Sequence, residues 1–529
     1  MAHKPTPEQQ DIIDFLANNP EVNTMVDAVA GAAKTSTIEM AAPQIKVPSA
    51  LAVAFNKRIA EELEKRLPSY FQCRTLNAVG HQAWQQARGK RLTLNADKMY
   101  QLTKALVPAS EDKESDMFAA VLGLARRAKA QGMVPNGSPV RATGLIDDHP
   151  DEWDDMAFTL GFTDVDDEVI FLARQVLIQS IRQAFIGEID FDDQIYMSVL
   201  FGGVYPQYHT VIVDESQDLS PLNHRQLMKL TQTRLISVGD PRQAIYAFRG
   251  ADGQSMTNLE GYMGKPKAMG GIGKGQFKRL QLTKSFRVSQ AVGRRQKRHV
   301  PHFDTMPTNN PGSVERWPLR GDGDEVSKPW SLRDVPQDGA ILCRNNAPLL
   351  KAAFALIKQR RPVKLLGRDI GGSLANLLLK ITGKDPIPVD DCWSKLDAWK
   401  SRELAKVADS ENKQDAIMDR YDSLFVLLEA AEKKTNVECA DFIRDLFTDK
   451  PDNRAVTLSS GHRAKGLEWD WVMHLDPWRV PSKQAKKAFD RGDDRPMEQE
   501  LNLQYVIETR TKDKLVLASC DDCIEIETD

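Results

Sequence analysis

The sequence predicts an α/β protein made of two parallel-sheet blocks, each interrupted by a mainly helical insertion. Short runs rich in valine and isoleucine, each ending in polar residues, are typical of buried parallel strands. Such runs occupy residues 50–56, 210–216 and 234–240 in the first block, and 339–345, 471–476 and 514–519 in the second. Residues 86–185 and 371–454 are instead rich in alanine, leucine, glutamine and charged residues, which favours helices.

The composition is that of an ordinary globular chain. Its 529 residues are 41% hydrophobic and 27% charged, with a net charge of −3. At the usual domain size this length predicts about three or four domains, and any nucleic-acid surface must be a local basic one. We expect no signal peptide, no transmembrane helix and no membrane partner.

Six scattered cysteines fit a reducing compartment. Cys520 and Cys523 form one CxxC, but no second ligand pair lies nearby in the sequence, as a zinc site would require. We therefore interpret them as two thiols at the end of a strand.

The stretch "AVAGAAKT" at 28–35 is typical of a loop that holds a phosphate between a strand and a helix. The strand would end near Val26 and the helix would begin at about Lys34. Lys34 would reach the β- and γ-phosphates, and the Thr35 hydroxyl would bind Mg²⁺. The alternative is a small-residue turn before a helix. The candidate loop residues are Ala30, Gly31, Ala32, Ala33, Lys34, Thr35 and Ser36.

Ala33 stands where such loops usually carry a glycine. Glycine permits backbone angles and a close approach that a Cβ can obstruct. An alanine costs little there if the backbone is already near-helical.

A second candidate element is the acidic end of the strand in "VIVDESQD" (211–218). Two carboxylates at the end of an apolar strand are costly unless a cation or a proton transfer uses them. Asp214 would hold Mg²⁺, and Glu215 would act as the general base on the attacking water. The alternative is an acidic turn that caps the strand.

This segment, followed by "GDPRQAIYAFRGA" (239–251), resembles motifs II and III of superfamily 1 helicases of the UvrD, Rep and PcrA type. Six further segments resemble the remaining motifs of that family, in order, and those within 54–80 are closest to the F-box DNA helicase branch. The segments are "TPEQQ" (6–10), "AFNKRIAEELEKRLP" with "CRTLNAVG" (54–80), "DFDDQI" (190–195), "LTKSFRVS" (282–289), "VTLSSGHRAKGLEWDWV" (456–472) and "LQYVIETRT" (503–511).

The resemblance implies a P-loop NTPase with two RecA-like motor domains. We expect residues 1–85 and 186–262 to form the first and residues 277–370 and 455–529 to form the second. The helical insertions would be 86–185 and 371–454, and the Gly/Lys-rich segment 263–276 would be a linker.

The resemblance also assigns nucleotide contacts. Gln9 would read the adenine edge, Phe286 would stack on the adenine, and Glu468 would contact the ribose or phosphate side. Gln243 would sense the γ-phosphate, while Arg287 and Arg510 would approach it from the second block. Taken singly, either arginine would more often be part of a surface salt bridge. In this context we interpret the site as active despite Ala33.

Single-strand translocases need stacking platforms and phosphate contacts. The resemblance places such contacts at eight positions, although Asn77 stands where the family more often has histidine. For the phenylalanines the alternative is core packing at a strand end. The eight residues are Phe55, Asn56, Thr75, Asn77, Tyr246, Phe248, Ser460 and His462.

The sequence thus predicts an ATP- and Mg²⁺-dependent helicase or translocase. It would move 3′→5′ on single-stranded DNA and junctions with duplex, in replication, repair or recombination, with proteins of those processes as partners. It would act in a bacterial or virus-infected cytoplasm, or in the nucleus of a eukaryote. The alternatives are an ATP-switched binding module that does not unwind and an RNA-directed motor of the same superfamily.

Overall fold

The computed structural model describes residues 4–54, 56–107, 114–160, 162, 165–245, 252–317, 329–406, 411–431, 433–448 and 454–526. The chain divides into two compact units. The first comprises Met1–Val29 and Ala33–Leu282, and the second comprises Ala30–Ala32 and Thr283–Asp529.

The first unit is built on a parallel sheet. Its strands are β1 (Asn23–Ala28), β2 (Ala50–Ala54), β3 (Phe71–Thr75), β4 (Thr93–Leu94), β5 (Glu188–Ile189), β6 (Tyr208–Val213), β7 (Thr231–Gly239) and β8 (Phe277–Leu282). Within the described residues, six of them form one sheet in the order β3, β2, β6, β7, β1, β8, while β4 and β5 pair separately. The three strands predicted for this block are confirmed as β2, β6 and β7.

Helices cover the sheet and fill most of residues 86–185. They are α1 (Pro7–Asn18), α2 (Lys34–Ala41), α3 (Lys57–Arg66), α4 (Leu76–Arg88), α5 (Lys98–Leu106), α6 (Glu114–Gln131), α7 (Pro150–Leu160), α8 (Asp167–Ile186), α9 (Asp193–Leu200), α10 (Pro221–Leu230) and α11 (Ser255–Met263). The buried side chains of Trp84 and Trp153 belong to one apolar core contributed mainly by α4 to α9.

Helix α8 is long and apolar enough to cross a membrane by length and composition alone, which the sequence analysis did not expect. Half of its apolar stretch is buried inside the unit. Val176, Leu177 and Ile181 are fully buried in the helical core, as expected for the central helix of a folded domain.

Four buried charges join the helices to the segment "DFDDQI". The Lys129 Nζ atom lies 2.6 Å from carboxylate oxygens of both Asp190 and Asp193. The Lys98 Nζ atom lies 2.7 Å from the other oxygen of Asp193 and donates to the Ser180 carbonyl at 2.7 Å. Because a buried charge is tolerated only when it is paired, this cluster fixes α5, α6 and α9 to one another.

The structure differs from the predicted domain boundary at residues 263–282. Residues 277–282, expected in the second block, form β8 and pair in parallel with β1 in the first unit, from Asn23 with Phe277 to Ala28 with Leu282. Residues 263–276 are an ordered part of the first unit: the buried Asn23 amide donates to the Met263 and Ile272 carbonyls at 2.9 and 2.8 Å. The Gly/Lys composition marked a turn-rich loop correctly, but it did not mark a boundary.

The second unit is also built on a parallel sheet. Its strands are β9 (Lys284–Ser285), β10 (Asp304–Thr305), β11 (Ser313–Arg316), β12 (Ala340–Cys343), β13 (Val363–Leu366), β14 (Phe447–Thr448), β15 (Val456–Ser460), β16 (Trp469–Leu475) and β17 (Thr511–Ala518). In the described part of the chain, seven form a sheet in the order β11, β17, β16, β12, β15, β13, β14, and β9 pairs with β10. The predicted fold class of two parallel-sheet α/β blocks is confirmed.

The helices of the second unit are α12 (Gln290–Gln296), α13 (Asn346–Lys358), α14 (Arg368–Thr382), α15 (Val389–Lys406), α16 (Glu411–Ala431), α17 (Asn436–Leu446), α18 (Lys483–Asp490) and α19 (Arg495–Glu508). Helices α14 to α17 occupy the second predicted helical stretch and share an apolar core with the sheet. Cys520 and Cys523 are free, buried thiols in the turn after β17, as predicted.

We predict that Lys129→Met lowers the free energy of unfolding of the first unit by about 3–5 kcal/mol, because it leaves two buried carboxylates with one cation fewer. Urea unfolding followed by tryptophan fluorescence measures the change. Lys104→Met on α5 is the matched control, since Lys104 is exposed. A loss no larger than that of the control would contradict a pairing role for Lys129.

Candidate functional site

The carboxyl ends of β1, β6 and β7 meet at one edge of the first sheet, because the three strands are parallel neighbours. Each strand is followed by polar residues that the sequence analysis singled out. Lys34 and Thr35 begin α2 after β1, Asp214 and Glu215 follow β6, and Gln243 follows β7.

Two contacts join the loop after β1 to the acidic end of β6. The Lys34 Nζ atom lies 3.3 Å from a Glu215 carboxylate oxygen. The Thr35 hydroxyl donates to Asp214 at 2.7 Å. The structure therefore brings together the four residues that the sequence analysis assigned to phosphate, magnesium and proton transfer.

Among the described residues, three carboxylates act on the charge of Lys34. Burial favours its neutral form, but the charges of Glu215, Asp214 and Asp240 outweigh burial and raise the pKa of Lys34. Burial, together with the neighbouring Glu215, raises the pKa of Asp214 above its ordinary value. Burial likewise raises the pKa of Asp240. A bound cation would relieve this crowding of carboxylates.

The oxygens of Thr35 and Asp214 fit Mg²⁺. Among the described residues, no group of three or more His, Cys, Asp or Glu side chains is arranged to hold a metal. Mg²⁺ needs no such cage, because it is usually held by one or two protein ligands together with waters and substrate phosphates. The hydroxyl and carboxylate, 2.7 Å apart, can both face one such ion.

A chain of side-chain contacts links Glu215 to Gln243. The Gln217 amide donates to Glu215 at 2.6 Å, and its carbonyl oxygen accepts from the Asp240 backbone N–H at 3.0 Å. The Gln243 amide donates to Asp240 at 2.7 Å. Gln217 and Asp240 were not assigned from sequence, although both lie inside the quoted motif segments.

Ala33 adopts left-handed backbone angles, with φ 58° and ψ 45°, just before α2 begins. The backbone at this position is therefore not near-helical, which was the condition under which an alanine would add little strain. An L-residue in this region is strained by roughly 1–2 kcal/mol, since its Cβ crowds the following carbonyl. Glu215 is in the same region, with φ 52°, so strain lies on both sides of the Lys34–Glu215 contact.

Gln9 lies beside the helix that follows the loop. It forms a capping box with Thr6 at the start of α1. Its amide donates to the Thr37 hydroxyl at 3.0 Å, and that hydroxyl donates to the Ala33 carbonyl at 2.9 Å. The hydrogen bond to Thr37 fixes the Gln9 side chain against α2. Ser36, a predicted loop residue on the same helix, is exposed.

By its contacts, the short segment Ala30–Ala32 belongs to the second unit. The Ala30 N–H donates to the Tyr505 hydroxyl at 2.8 Å, and the Phe286 N–H donates to the Gly31 carbonyl at 2.8 Å. Gly31 has φ 75°, and a Cβ there would lie 2.5 Å from the Cβ of Arg287. Position 31 therefore requires glycine for two reasons: the backbone has a positive φ, and a Cβ would collide with Arg287.

The predicted arginines of the second unit are held by partners within that unit. Arg287 pairs with Glu468 at 2.7 Å, and Lys512 pairs with the other Glu468 oxygen at 3.0 Å. Arg510 is buried, and its guanidinium donates to the Val506 carbonyl at 3.0 Å.

Glu508, close to this arginine in sequence, is a fully buried carboxylate. Arg295 donates to both of its oxygens at 2.8 Å, and Gln296 donates to one of them at 2.9 Å. Burial opposes its charge, but His474 and Arg295 hold the pKa of Glu508 well below its usual range. This network anchors the end of α19, from which Arg510 follows.

The predicted nucleic-acid contacts in the first unit lie at helix starts. Asn56 and Thr75 cap α3 and α4 through their side-chain oxygens. The Asn77 amide donates to the Phe191 carbonyl at 2.9 Å, and the Phe191 ring is 54% exposed. The sequence analysis did not single out Phe191, although it is the aromatic residue of the quoted segment "DFDDQI".

Two further predicted contacts lie in the second unit. Ser460 ends β15 and His462 follows it, and both are half-buried. Phe55, Tyr246 and Phe248 lie outside the described residues.

Comparisons with known proteins agree with the resemblance. A family model described as the UvrD/REP helicase N-terminal domain matches residues 178–263, and one described as the UvrD-like helicase C-terminal domain matches residues 390–522. The F-box DNA helicase protein 1 of Schizosaccharomyces pombe is 25% identical over 97% of this chain and 57% of its own length. The F-box DNA helicase 1 of Gallus gallus is 22% identical over 97% of this chain and 49% of its own length.

The chain thus spans about half the length of these curated relatives. A solved Arterivirus nonstructural protein 10 helicase aligns with 96% of this chain and 61% of that one, at 9% identity and a TM-score of 0.30.

We predict that Ala33→Gly raises the free energy of unfolding by about 1 kcal/mol, because glycine adopts left-handed angles without the Cβ strain. Chemical denaturation measures the effect. Ala32→Gly is the control: Ala32 is buried and has no positive φ, so glycine there should destabilise. If both variants destabilise equally, strain at Ala33 is not significant.

Proposed function

We propose that this chain, which carries the N-terminal and C-terminal domains of the UvrD-like helicases, is an ATP-driven DNA helicase that translocates on single strands. The observation that carries the proposal is the convergence of Lys34, Thr35, Asp214 and Glu215 at one edge of the first sheet. The alternatives were a small-residue turn at 28–35 and an acidic turn that caps the strand at 211–218. Neither alternative requires the two segments to contact each other.

Each residue has a role set by its chemistry. Lys34 is a cation at the start of a helix, where it would bind the β- and γ-phosphates of ATP. Glu215 would accept a proton from the attacking water, and its own position is fixed by Gln217. Gln243 would report the γ-phosphate through Asp240 and Gln217 to the same carboxylate.

Thr35 and Asp214 would hold Mg²⁺, which neutralises charge that develops on the phosphates during transfer. Gln9 would read the adenine and Phe286 would stack on it, with Glu468 near the ribose. Arg287 and Arg510 would stabilise the γ-phosphate. For both arginines this requires a change of partner, because here Arg287 pairs with Glu468 and Arg510 with backbone carbonyls.

DNA as the substrate is supported by the names of the F-box relatives. Thr75, Asn77 and the exposed Phe191 would line the strand path in the first unit, with Asn56 nearby on α3. Ser460 and His462 would line it in the second unit. Movement 3′→5′, action at junctions with duplex, and a role in replication, repair or recombination are finer proposals that rest on the resemblance alone.

Both F-box relatives are eukaryotic proteins, which supports a DNA-processing role in the nucleus if this chain is eukaryotic. Stimulation of ATP hydrolysis by DNA and RNA homopolymers tests the substrate class. Stimulation by DNA alone supports the proposal, and stimulation by RNA alone would assign an RNA-directed motor. DNA binding without stimulated turnover would assign a switch that does not translocate.

We predict that Lys34→Ala and Glu215→Gln each lower DNA-stimulated ATP turnover by about 100-fold or more, the usual worth of a general base or of a positioned charge. Binding of single-stranded DNA should persist in both variants. Lys46→Ala and Glu64→Gln are matched controls, since both residues are exposed on the same unit. Turnover within a few-fold of the controls would refute the assigned roles.

We predict that Phe191→Ala weakens binding of single-stranded DNA by about 1–3 kcal/mol, the usual worth of a base stacked on an aromatic ring. Fluorescence anisotropy with a labelled oligonucleotide measures the affinity. Phe171→Ala is the control, because Phe171 on α8 is 53% exposed in the same unit. Equal affinities of the two variants would remove Phe191 from the strand path.

A further inference from the structure

The Gly/Lys-rich segment 263–276 has no role in the proposed function, yet it is tightly folded. The Lys267 N–H donates to the Gly273 carbonyl at 3.0 Å, and the Gly271 N–H donates to the Pro266 carbonyl at 3.1 Å. A Cβ at Gly271 would collide with the Lys265 carbonyl. The loop is therefore a fixed element, and it holds the backbone of Lys267 in one place.

This loop forms one wall of a cavity of about 380 Å³ in the first unit. Arg225 and Lys229 of α10 form another wall, and Tyr205 and Gln207 complete it before β6 begins. Lys267 also donates to the carbonyl of Thr231, the first residue of β7. The cavity thus lies at the amino ends of β6 and β7, whereas Lys34, Asp214 and Glu215 lie at the carboxyl edge of the same sheet.

The lining is basic. Arg225, Lys229 and Lys267 are cations, and none of the described lining residues is acidic. The contributing segments 201–210, 221–233 and 261–276 contain no aspartate or glutamate, although the whole chain has more acids than bases. Burial lowers the pKa of Lys229, and the charge of Arg225 lowers it further.

A local excess of positive charge of this kind is unfavourable in the empty cavity and is relieved by an anion. The groups present are an arginine fork, two ammonium groups and the side-chain amide of Gln207, which are donors suited to phosphate oxygens. Tyr205 contributes to the wall only, because its hydroxyl is hydrogen-bonded to Ser198. The Arg225 guanidinium also lies 5.9 Å from the Tyr262 ring centroid.

We propose that the cavity bounded by Arg225, Lys229 and Lys267 is a second anion site, which binds a phosphate group. The phosphate comes either from a polynucleotide backbone or from a free polyphosphate. The site is separate from the nucleotide site, and it does not depend on the proposed helicase activity.

The test compares two triple variants of the full chain. One carries Arg225→Gln, Lys229→Gln and Lys267→Gln. The control carries Lys46→Gln, Lys104→Gln and Arg141→Gln, which remove the same charge from exposed positions of the same unit. The first arm measures anisotropy of a labelled blunt DNA duplex at several salt concentrations. The second arm measures calorimetric binding of inorganic tripolyphosphate, with Lys34→Ala added to both variants so that the phosphate loop does not contribute.

We expect the cavity variant to bind one of the two probes at least about 10-fold more weakly than the control. If the duplex is the ligand, the salt dependence of its binding should also fall by about one unit of log–log slope for each phosphate that the variant no longer neutralises. Weaker binding in the duplex arm identifies a polynucleotide backbone, and weaker binding only in the tripolyphosphate arm identifies a free polyphosphate.

Equal affinities of the two variants in both arms would overturn the proposal. The single variant Arg225→Gln tests whether weaker binding by the triple variant could come from misfolding. Arg225 is exposed, and the Lys267–Thr231 hydrogen bond stays intact in the single variant. It should weaken the same probe several-fold without changing the melting temperature. DNA-stimulated ATP turnover of the cavity variants should match that of the control, which separates failure of this site from failure of the proposed function.

Discussion

The candidate site depends on one electrostatic constraint: the largely buried Lys34 side chain faces three carboxylates. Lys34 is 3.3 Å from Glu215, and the charges of Asp214 and Asp240 also act on it. Burial raises the pKa of both Asp214 and Asp240, because desolvation and repulsion by neighbouring carboxylates disfavour their ionised forms. The site is therefore poised for added positive charge, which Mg²⁺ bound with a nucleotide would supply.

The surrounding structure holds this arrangement in place. Glu215 sits at left-handed angles and accepts from Gln217, which in turn holds the Asp240 backbone. Ala33 carries similar strain on the loop side. Strain of this kind persists only where neighbouring contacts fix the backbone, and it is common at functional sites. In the second unit, the buried Glu508–Arg295 pair plays the corresponding anchoring role beside Arg510.

The two edges of the first sheet carry opposite charge balances. At the carboxyl edge, three carboxylates of the described residues act on Lys34, which favours a cation. At the amino edge, Arg225, Lys229 and Lys267 surround a cavity without an acidic residue in its described lining, which favours an anion. A net charge of −3 for the whole chain conceals both features, because each depends on residues from separate segments that only the sheet brings together.

The sequence alone determined the six strands that it predicted, the start of α2 at Lys34 and the presence of an acidic strand end that could face the loop at 28–35, because local periodicity and motif spacing encode them. It did not determine that 277–282 complete the first sheet, since strand partners are chosen by hydrogen bonding across more than two hundred residues. It could not give the left-handed angles of Ala33, the exposed ring of Phe191 or the basic cavity. Backbone strain, exposure and charge balance are set by tertiary packing, which places distant segments side by side.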